Sequence, residues 1–167
     1  MKYRSLASFK KGFTLIELLI VLSVIGIIST VSIVSFVSYN KSSVLKQASL
    51  DVASLLRDAK SRTQSQRKPS SCTGTLIGYR VDICGLSTSN CSTANTYRLS
   101  MVCSGNTTVL STKSLPSDIS FSSSSTSPSF LFQVLSNGVT GSGFVRISGY
   151  NTTQDITVGS GGTVTIN

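Results

Sequence analysis

Residues 13–37 read FTLIELLIVLSVIGIISTVSIVSFV, and this stretch decides what kind of chain this is. Seventeen of its 25 residues are Phe, Leu, Ile or Val, and each of these favours membrane insertion by about 0.3 to 0.6 kcal/mol. Together these residues contribute on the order of −7 kcal/mol to the free energy of membrane insertion, whereas the one carboxylate, Glu17, costs roughly +3 kcal/mol. As a helix the stretch would be about 37 Å long, enough to cross a bilayer. We therefore predict a membrane-spanning helix over residues 13–38.

The segment before the apolar run is short and basic. Residues 1–12 carry four Lys or Arg and neither Asp nor Glu, and such a flank stays on the cytoplasmic side of the membrane. An ordinary secretory signal would carry a small-residue cleavage site after the apolar run, and none stands out there. Instead, a Lys-Lys-Gly sequence ending at Gly12 precedes the run, and Glu17 lies inside it. Because an ionisable group at membrane depth is costly, Glu17 indicates a function.

Residues 11–28, KGFTLIELLIVLSVIGII, resemble the class III leader of type IV pilins, pseudopilins and competence pilins. The resemblance implies that a membrane prepilin peptidase cuts after Gly12 and methylates the new amino terminus at Phe13. It also implies that Glu17 pairs with the terminal amine of a neighbouring subunit during assembly. A carboxylate and an ammonium, each unfavourable in lipid, offset one another only when subunits stack in register.

The same resemblance implies partners and a location for the chain. The expected partners are the prepilin peptidase, other pilin or pseudopilin subunits, an inner-membrane assembly platform and the membrane itself, and no cofactor is expected. Before assembly the chain would cross the cell membrane once, with its leader in the cytoplasm and its head exported. Afterwards it would belong to an extracellular or periplasmic filament. Three machines use such subunits, for adhesion or motility, type II secretion and DNA uptake, and the leader does not separate them.

The helix is expected to continue beyond the membrane. Neither Pro nor Gly occurs between residues 27 and 68, and Leu, Ala, Lys, Gln and Arg are good helix formers. On a helical wheel, seven apolar side chains fall within one sector of about 120°; they are Val44, Leu45, Ala48, Val52, Leu55, Leu56 and Ala59. We therefore predict an amphipathic helix to about residue 66 that packs one face on a sheet and is stopped by Pro69.

The end of this helix carries a second resemblance. Residues 48–72 read ASLDVASLLRDAKSRTQSQRKPSSC, and they are similar to the helix end of GspH/FimT-type minor pseudopilins, which runs into a β-rich head. This likeness implies a minor subunit. The predicted organisation has four segments: the leader at 1–12, the membrane or filament-core half of the helix at 13–38, its amphipathic half at 39–68, and a β-rich head at 69–167.

Four basic side chains lie on the helix face opposite the apolar stripe: Lys46, Arg57, Lys60 and Lys68. Competence pilins bind DNA, so a DNA-binding minor competence pilin for DNA uptake is the alternative function. Phosphate contacts would need only such cations. However, no aromatic residue occurs between residues 41 and 68, so none is available there to stack on single-stranded bases. A solvated face, or contacts between subunits, is the favoured interpretation.

The carboxy-terminal part shows the alternation of apolar and polar residues that is typical of half-buried strands. The clearest strands are predicted at 77–83 and 97–103, with shorter ones at 107–112, 130–135, 144–149, 154–158 and 163–166. The Ser-rich stretch from Phe121 to Phe130 is predicted to be a flexible loop. The expected fold is α+β, with a long hydrophobic amino-terminal α-helix packed on a carboxy-terminal antiparallel β-sheet or small β-sandwich head.

The four cysteines are Cys72, Cys84, Cys91 and Cys103. Their spacing lacks the close pairs of zinc sites, and the chain has no His to complete a metal site or to activate a catalytic thiol. We therefore expect neither a metal site nor an enzyme. An exported head with an even number of cysteines favours two disulfides. If strands 77–83 and 97–103 form a hairpin, Cys72–Cys103 with Cys84–Cys91 is preferred over Cys72–Cys84 with Cys91–Cys103.

We predict that the mature chain begins at Phe13 and that its amine is methylated. The change Gly12→Val should accumulate a precursor that is longer by the leader, because the resemblance places Gly12 at the cut, where a side chain would crowd the peptidase. Mass spectrometry of the amino-terminal peptide from both chains measures this directly. A mature terminus beyond residue 35 would indicate an ordinary secretory signal instead.

Overall fold

The structure, a computed structural model, describes residues 12–86, 91, 93–136 and 138–167, with no side chains described for residues 30–35. Most of the predicted leader therefore lies outside the described residues. The chain divides into two compact units, of which one ends at Asn40 and the other spans Lys41–Asn167.

One helix and nine strands make up the regular structure of the described residues. They are α1 (Leu15–Gln64), β1 (Leu76–Ile83), β2 (Thr96–Cys103), β3 (Thr107–Ser114), β4 (Ile119–Phe121), β5 (Ser129–Gln133), β6 (Val139–Thr140), β7 (Gly143–Gly149), β8 (Thr152–Val158) and β9 (Val164–Ile166). A helix that packs on an antiparallel β head confirms the predicted α+β fold.

The first unit contains the start of α1. Its described large apolar side chains are all exposed in the single chain, with exposed fractions between 46% at Val21 and 83% at Leu15. No helix in the described residues combines the length and the apolarity that crossing a membrane requires. An apolar surface of this extent, on a helix, marks a region that interacts with something other than water.

The strands of the second unit form two antiparallel sheets. The first has the order β3-β2-β1-β5-β6 and the second the order β4-β7-β8-β9. The expected hairpin is β1–β2, in which Tyr79 pairs with Met101 and Val81 with Leu99. Because β5 also pairs with β1, β1 is the central strand of the first sheet.

The amphipathic half of α1 packs against both sheets. Six of the seven residues of the predicted stripe are buried, and the seventh, Val44, is half-buried. Side chains from the inner faces of the sheets complete the core: Tyr79, Val81, Ile83, Tyr97, Leu99, Met101, Phe130 and Phe132 from the first, and Ile119, Phe121, Val145, Ile147, Ile156 and Val158 from the second. The rings of Tyr97 and Phe121 meet edge to face at 6.2 Å, which joins the two sheets.

Two polar residues of α1 are buried in addition to this stripe. The Thr63 hydroxyl donates to Ala59 O at 2.9 Å and lies 3.3 Å from Phe132 O on β5. The Ser49 hydroxyl donates to Lys46 O at 2.8 Å. A hydroxyl that bonds to a carbonyl of its own helix is satisfied without water, so both side chains can be buried at little cost.

Helix α1 ends at Gln64, slightly before the predicted end near residue 66. Gln66 takes a left-handed conformation with φ 49°, and its N–H donates to Thr63 O at 3.1 Å. The next N–H, of Arg67, donates to Arg62 O at 3.3 Å. These two bonds form a Schellman motif, which satisfies the last carbonyls of the helix. The helix therefore ends by backbone capping, before the chain reaches the proline that was expected to stop it.

Strands β4 and β6 were not predicted, because segments of two or three residues are too short to show alternation. The Ser-rich stretch between β4 and β5, predicted to be a flexible loop, makes hydrogen bonds to β7. Ser122 N donates to Arg146 O at 2.8 Å and Thr126 N donates to Phe144 O at 2.9 Å. Residues 122–128 thus form a loop of turns and bends that is held to β7 by these hydrogen bonds.

Two disulfides are present, Cys72–Cys103 and Cys84–Cys91, and no described cysteine is free. The Cα atoms of the two pairs are 5.9 Å and 5.3 Å apart, within the usual range for a disulfide. The first bond ties the segment that follows α1 to the end of β2. The second closes the connection between β1 and β2.

The Asn106 side chain holds the same segment to the β2–β3 turn. Its Oδ1 accepts hydrogen bonds from the N–H (3.0 Å) and the hydroxyl (2.8 Å) of Thr73. Its Nδ2 donates to Ser71 O at 3.0 Å and to Thr108 Oγ1 at 3.1 Å. All the hydrogen-bonding capacity of the amide is used on protein groups, so the exit from α1 is held by this side chain as well as by the disulfide.

We predict unequal losses of stability when the two disulfides are removed. The Cys72–Cys103 bond spans a sequence separation of 31 and the Cys84–Cys91 bond a separation of 7. In the chain-entropy model, replacing both cysteines of a pair by Ser should lower the free energy of unfolding by about 3.5 kcal/mol for the longer loop and about 2.5 kcal/mol for the shorter. Denaturant unfolding of the full chain measures both values, and peptide mapping under non-reducing conditions establishes the pairing. A larger loss for the shorter loop would contradict the entropic ranking.

Candidate assembly site

The first turn of α1 is capped by Thr14. The Thr14 carbonyl accepts from Leu18 N at 3.2 Å, and its hydroxyl accepts from Glu17 N at 3.3 Å. Thr14 is therefore the N-cap, and Glu17 occupies the third helical position, as in the capping-box motif Thr-x-x-Glu. A carboxylate in this first turn also interacts favourably with the helix dipole. Thr14 was not predicted to be a cap, although a Thr three residues before a Glu at the start of an apolar run is the signal for one.

Phe13 lies on the amino-terminal side of this cap. Its side chain is 78% exposed, and with Leu18, Val21 and Leu22 it lines one apolar depression on the helix surface. A residue before the N-cap that lies beside the fourth helical residue forms a hydrophobic staple, which sets the direction in which the chain enters the helix. The predicted new terminus and Glu17 thus belong to the same turn of the chain.

Gly12 is exposed and has open space around it. A Cβ built on this residue would meet no atom within 4 Å, and its φ does not lie in the left-handed region. The fold of the chain itself therefore does not require glycine at this position. If glycine is required at this position, the cause is another molecule, such as the peptidase that is predicted to cut after Gly12.

Three of the four basic residues singled out in the sequence contact main-chain carbonyls of the head. Arg57 Nη2 donates to Val164 O at 3.3 Å, and Lys60 Nζ donates to Gly161 O at 3.3 Å. Lys68 Nζ donates to Gly74 O at 2.6 Å. The fourth, Lys46, is exposed, and its side chain makes no hydrogen bond or ion pair with the described residues. The long side chains of Arg57 and Lys60 thus reach from α1 to the region around β9.

Two core tyrosines near the helix have raised pKa values. Burial is the main cause of the raised pKa of Tyr79, and its hydroxyl donates to Arg67 O beyond the end of α1. Burial also raises the pKa of Tyr97, and the nearby Asp51 carboxylate adds to this effect. Both phenols therefore remain protonated at neutral pH, and their role is to fix the core.

A model of the prokaryotic N-terminal methylation motif matches residues 8–33 of the chain. The match contains Gly12, Phe13 and Glu17, and it leaves the amphipathic half of α1 and the head uncovered. No curated protein and no solved structure matches the chain. The motif supports a class III prepilin leader, which implies processing by a prepilin peptidase, anchoring in a membrane before assembly and a later place among other pilin-type subunits. It points to a type IV pilin-like or pseudopilin structural subunit.

Proposed function

We propose that the chain is a prepilin-type structural subunit, a minor pilin or pseudopilin of the GspH/FimT type, in a type IV pilus, a type II secretion system or a related filament. A prepilin peptidase cuts it after Gly12 and methylates Phe13. The apolar start of α1 holds the chain in the membrane with its head exported. It then passes into a filament through contacts with neighbouring subunits.

The observation that carries this proposal is an exposed carboxylate in the first turn of an apolar helix. Glu17 is exposed, and the neighbouring apolar side chains of Ile16, Leu18 and Leu19 are each more than half exposed. The partners of this surface must therefore come from outside the chain. Packing against the same segment of other subunits would bury these side chains at about 25 cal/mol per Å² of apolar area removed from water.

Glu17 has two physical roles that an experiment has to separate. In the single chain it belongs to the cap of α1, together with Thr14. In a filament it would pair with the terminal amine of a neighbour. The local role stabilises one end of the helix. The second role disfavours any register between neighbouring helices in which the carboxylate and the amine are unpaired.

Three substitutions separate these roles. Glu17→Gln keeps a side chain that suits a capping box but removes its charge, and Glu17→Ala removes both. Thr14→Ala removes the cap hydroxyl and leaves the charge, at a cost of about 1 kcal/mol to the helix end. If pairing is the function, both Glu17 variants should enter filaments at least about tenfold less than the unaltered chain, a loss of about 1.4 kcal/mol or more. Thr14→Ala should enter at close to the normal level.

Incorporation is measured by mass spectrometry of purified surface filaments, with leader cleavage and membrane fractionation as controls. Neither control should change in any of the three variants, because both precede assembly. If Thr14→Ala loses incorporation as Glu17→Ala does, while Glu17→Gln assembles normally, Glu17 acts as a helix cap. If all three variants assemble normally, the assembly role of Glu17 is wrong.

The type of subunit rests on residues 48–72, which resemble the helix end of GspH/FimT-type minor pseudopilins. Within this stretch the apolar stripe packs on the head, and Cys72 joins the end of β2 through the disulfide to Cys103. The same filament preparation tests the assignment by abundance. A minor subunit should be rare relative to the most abundant pilin, and an abundant chain would make it the major subunit.

A further inference from the structure

The outer face of the second sheet carries a row of hydroxyl groups. Residues of β4, β7 and β8 that point into the core alternate with residues on this outer face. Three of the outer residues are paired across the strands, Ser120 with Ser148 and Ser148 with Thr153, and we call them the hydroxyl row. The Oγ atoms of Ser120 and Ser148 are 3.4 Å apart, which is long for a hydrogen bond between hydroxyls. The side chain of Thr153 is exposed and makes no hydrogen bond with the described residues.

The hydroxyl row lines an open groove that ends at Asp118. The groove has a volume of about 580 Å³, which lies within the range of about 300 to 1,000 Å³ that is typical of small-molecule sites. Asp118 is exposed, and its Oδ2 accepts a hydrogen bond from the Tyr150 hydroxyl at 3.2 Å. Burial and the Asp118 carboxylate raise the pKa of Tyr150, so the phenol keeps the proton that it donates. An ionised carboxylate has about four lone-pair sites, so Asp118 can accept further hydrogen bonds from a ligand.

Tyr150 occupies a position that a tyrosine rarely takes. Tyr150 and Asn151 form the two-residue turn between β7 and β8, and both are left-handed, with φ 52° and φ 59°. Turns of this kind favour Asn, Asp or Gly, because a bulky side chain is strained at positive φ. A tyrosine is therefore not the residue that the turn itself prefers. Its hydrogen bond to Asp118 indicates that the side chain is needed in the groove.

The charges at the groove are balanced. The Lys41 ammonium lies 5.6 Å from the centroid of the Tyr150 ring, so one cation and one carboxylate are present at this end. Neither Lys41 nor Asp118 forms an ion pair with the described residues. Arg146 and Asp155, which are the next pair along β7 and β8, bind each other at 2.6 Å and add no net charge. The surface therefore favours a ligand that is neutral.

The lining also excludes an apolar ligand. It contains no Leu, Ile, Val, Met or Phe among the described residues. A hydroxyl both donates and accepts hydrogen bonds, whereas a carboxylate only accepts them, and does so more strongly than a neutral group. A ligand with several neighbouring hydroxyl groups would match both kinds of partner. Because the hydroxyl row is carried by three paired strands, its spacing is fixed before a ligand binds, which lowers the entropic cost of binding.

We propose that this groove binds a neutral saccharide. Asp118 accepts hydrogen bonds from two neighbouring hydroxyls of the sugar, and the hydroxyl row contacts the rest of the ligand. Tyr150 positions the carboxylate. This inference goes beyond the proposed function, and it requires only one copy of the chain, so a rare subunit can carry the site. On an exported head the groove would meet polysaccharides outside the cell membrane.

Binding of neutral glycans to the full chain tests the proposal. The chain is held in micelles of a detergent without a sugar headgroup and is applied to an array of immobilised neutral glycans. Titration calorimetry then measures the Kd of the tightest of them, for which we expect about 1 mM or below. Hexalysine and hexagalacturonate carry charges of opposite sign, and each should bind at least about tenfold more weakly than the neutral glycan.

Two pairs of variants locate the site. Asp118→Ala should weaken binding of the neutral glycan at least about tenfold, because it removes a charged acceptor. Thr153→Val keeps the shape of the side chain but removes its hydroxyl, and should weaken binding about fivefold. The matched controls are Asp58→Ala on α1 and Thr165→Val at an exposed position of β9. Both should bind as the unaltered chain does, and denaturant unfolding checks that all four variants are folded.

Three results would overturn the proposal. They are a lack of binding to every neutral glycan, equal or tighter binding of either charged hexamer, and unchanged binding in both Asp118→Ala and Thr153→Val. Equal binding of hexalysine would make the groove a site for cationic segments of a protein partner instead. Because the titration uses single chains in micelles, its result does not depend on whether the chain enters filaments. Failure of this inference and failure of the proposed function are thereby distinguished.

Discussion

The burial of one apolar stripe of α1 between two antiparallel sheets is the interaction on which the head depends. Val52, Leu56 and Ala59 are completely buried, and each Leu or Val buried in this way contributes about 1.5 to 3 kcal/mol. The apolar inner face of each sheet has to be covered, and the rings of Tyr97 and Phe121 also join the two sheets directly. The helix therefore provides the surface that both sheets share.

The same helix imposes opposite demands on its two ends. Beyond residue 41 most of its apolar side chains are buried, although Leu50 is 40% exposed. Before residue 40 its described apolar side chains are exposed in the single chain. Helix α1 thus has exposed apolar side chains near its start and a buried apolar stripe in its second half. This division fits the proposed function, in which other subunits cover the exposed apolar part.

The head is small, and covalent and polar links compensate for its limited core. The segment that leaves α1 is held to the end of β2 by the Cys72–Cys103 disulfide and to the β2–β3 turn by three hydrogen bonds of Asn106. Arg57 and Lys60 add bonds from the helix to carbonyls near β9. These links connect parts of the chain that are distant in sequence, so they resist separation of the helix from the sheets. Arg57 and Lys60, which were considered as possible contacts for DNA, thus bind carbonyl groups of their own chain.

The sequence by itself determined the helix, its buried stripe, most of the strands and the leader, because each of these is a local pattern. A run of apolar residues, a period of 3.6 or 2, and a Gly-Phe-Thr-x-x-Glu start can all be read from neighbouring positions. The Thr14 cap was equally readable and was overlooked.

Tertiary structure alone decided the rest. Gly78 is needed because a Cβ there would collide with the carbonyl oxygen of Phe132, and the hydroxyl row exists because β4, β7 and β8 pair in one register. Such features depend on contacts between residues on different strands, and no local sequence pattern specifies these contacts.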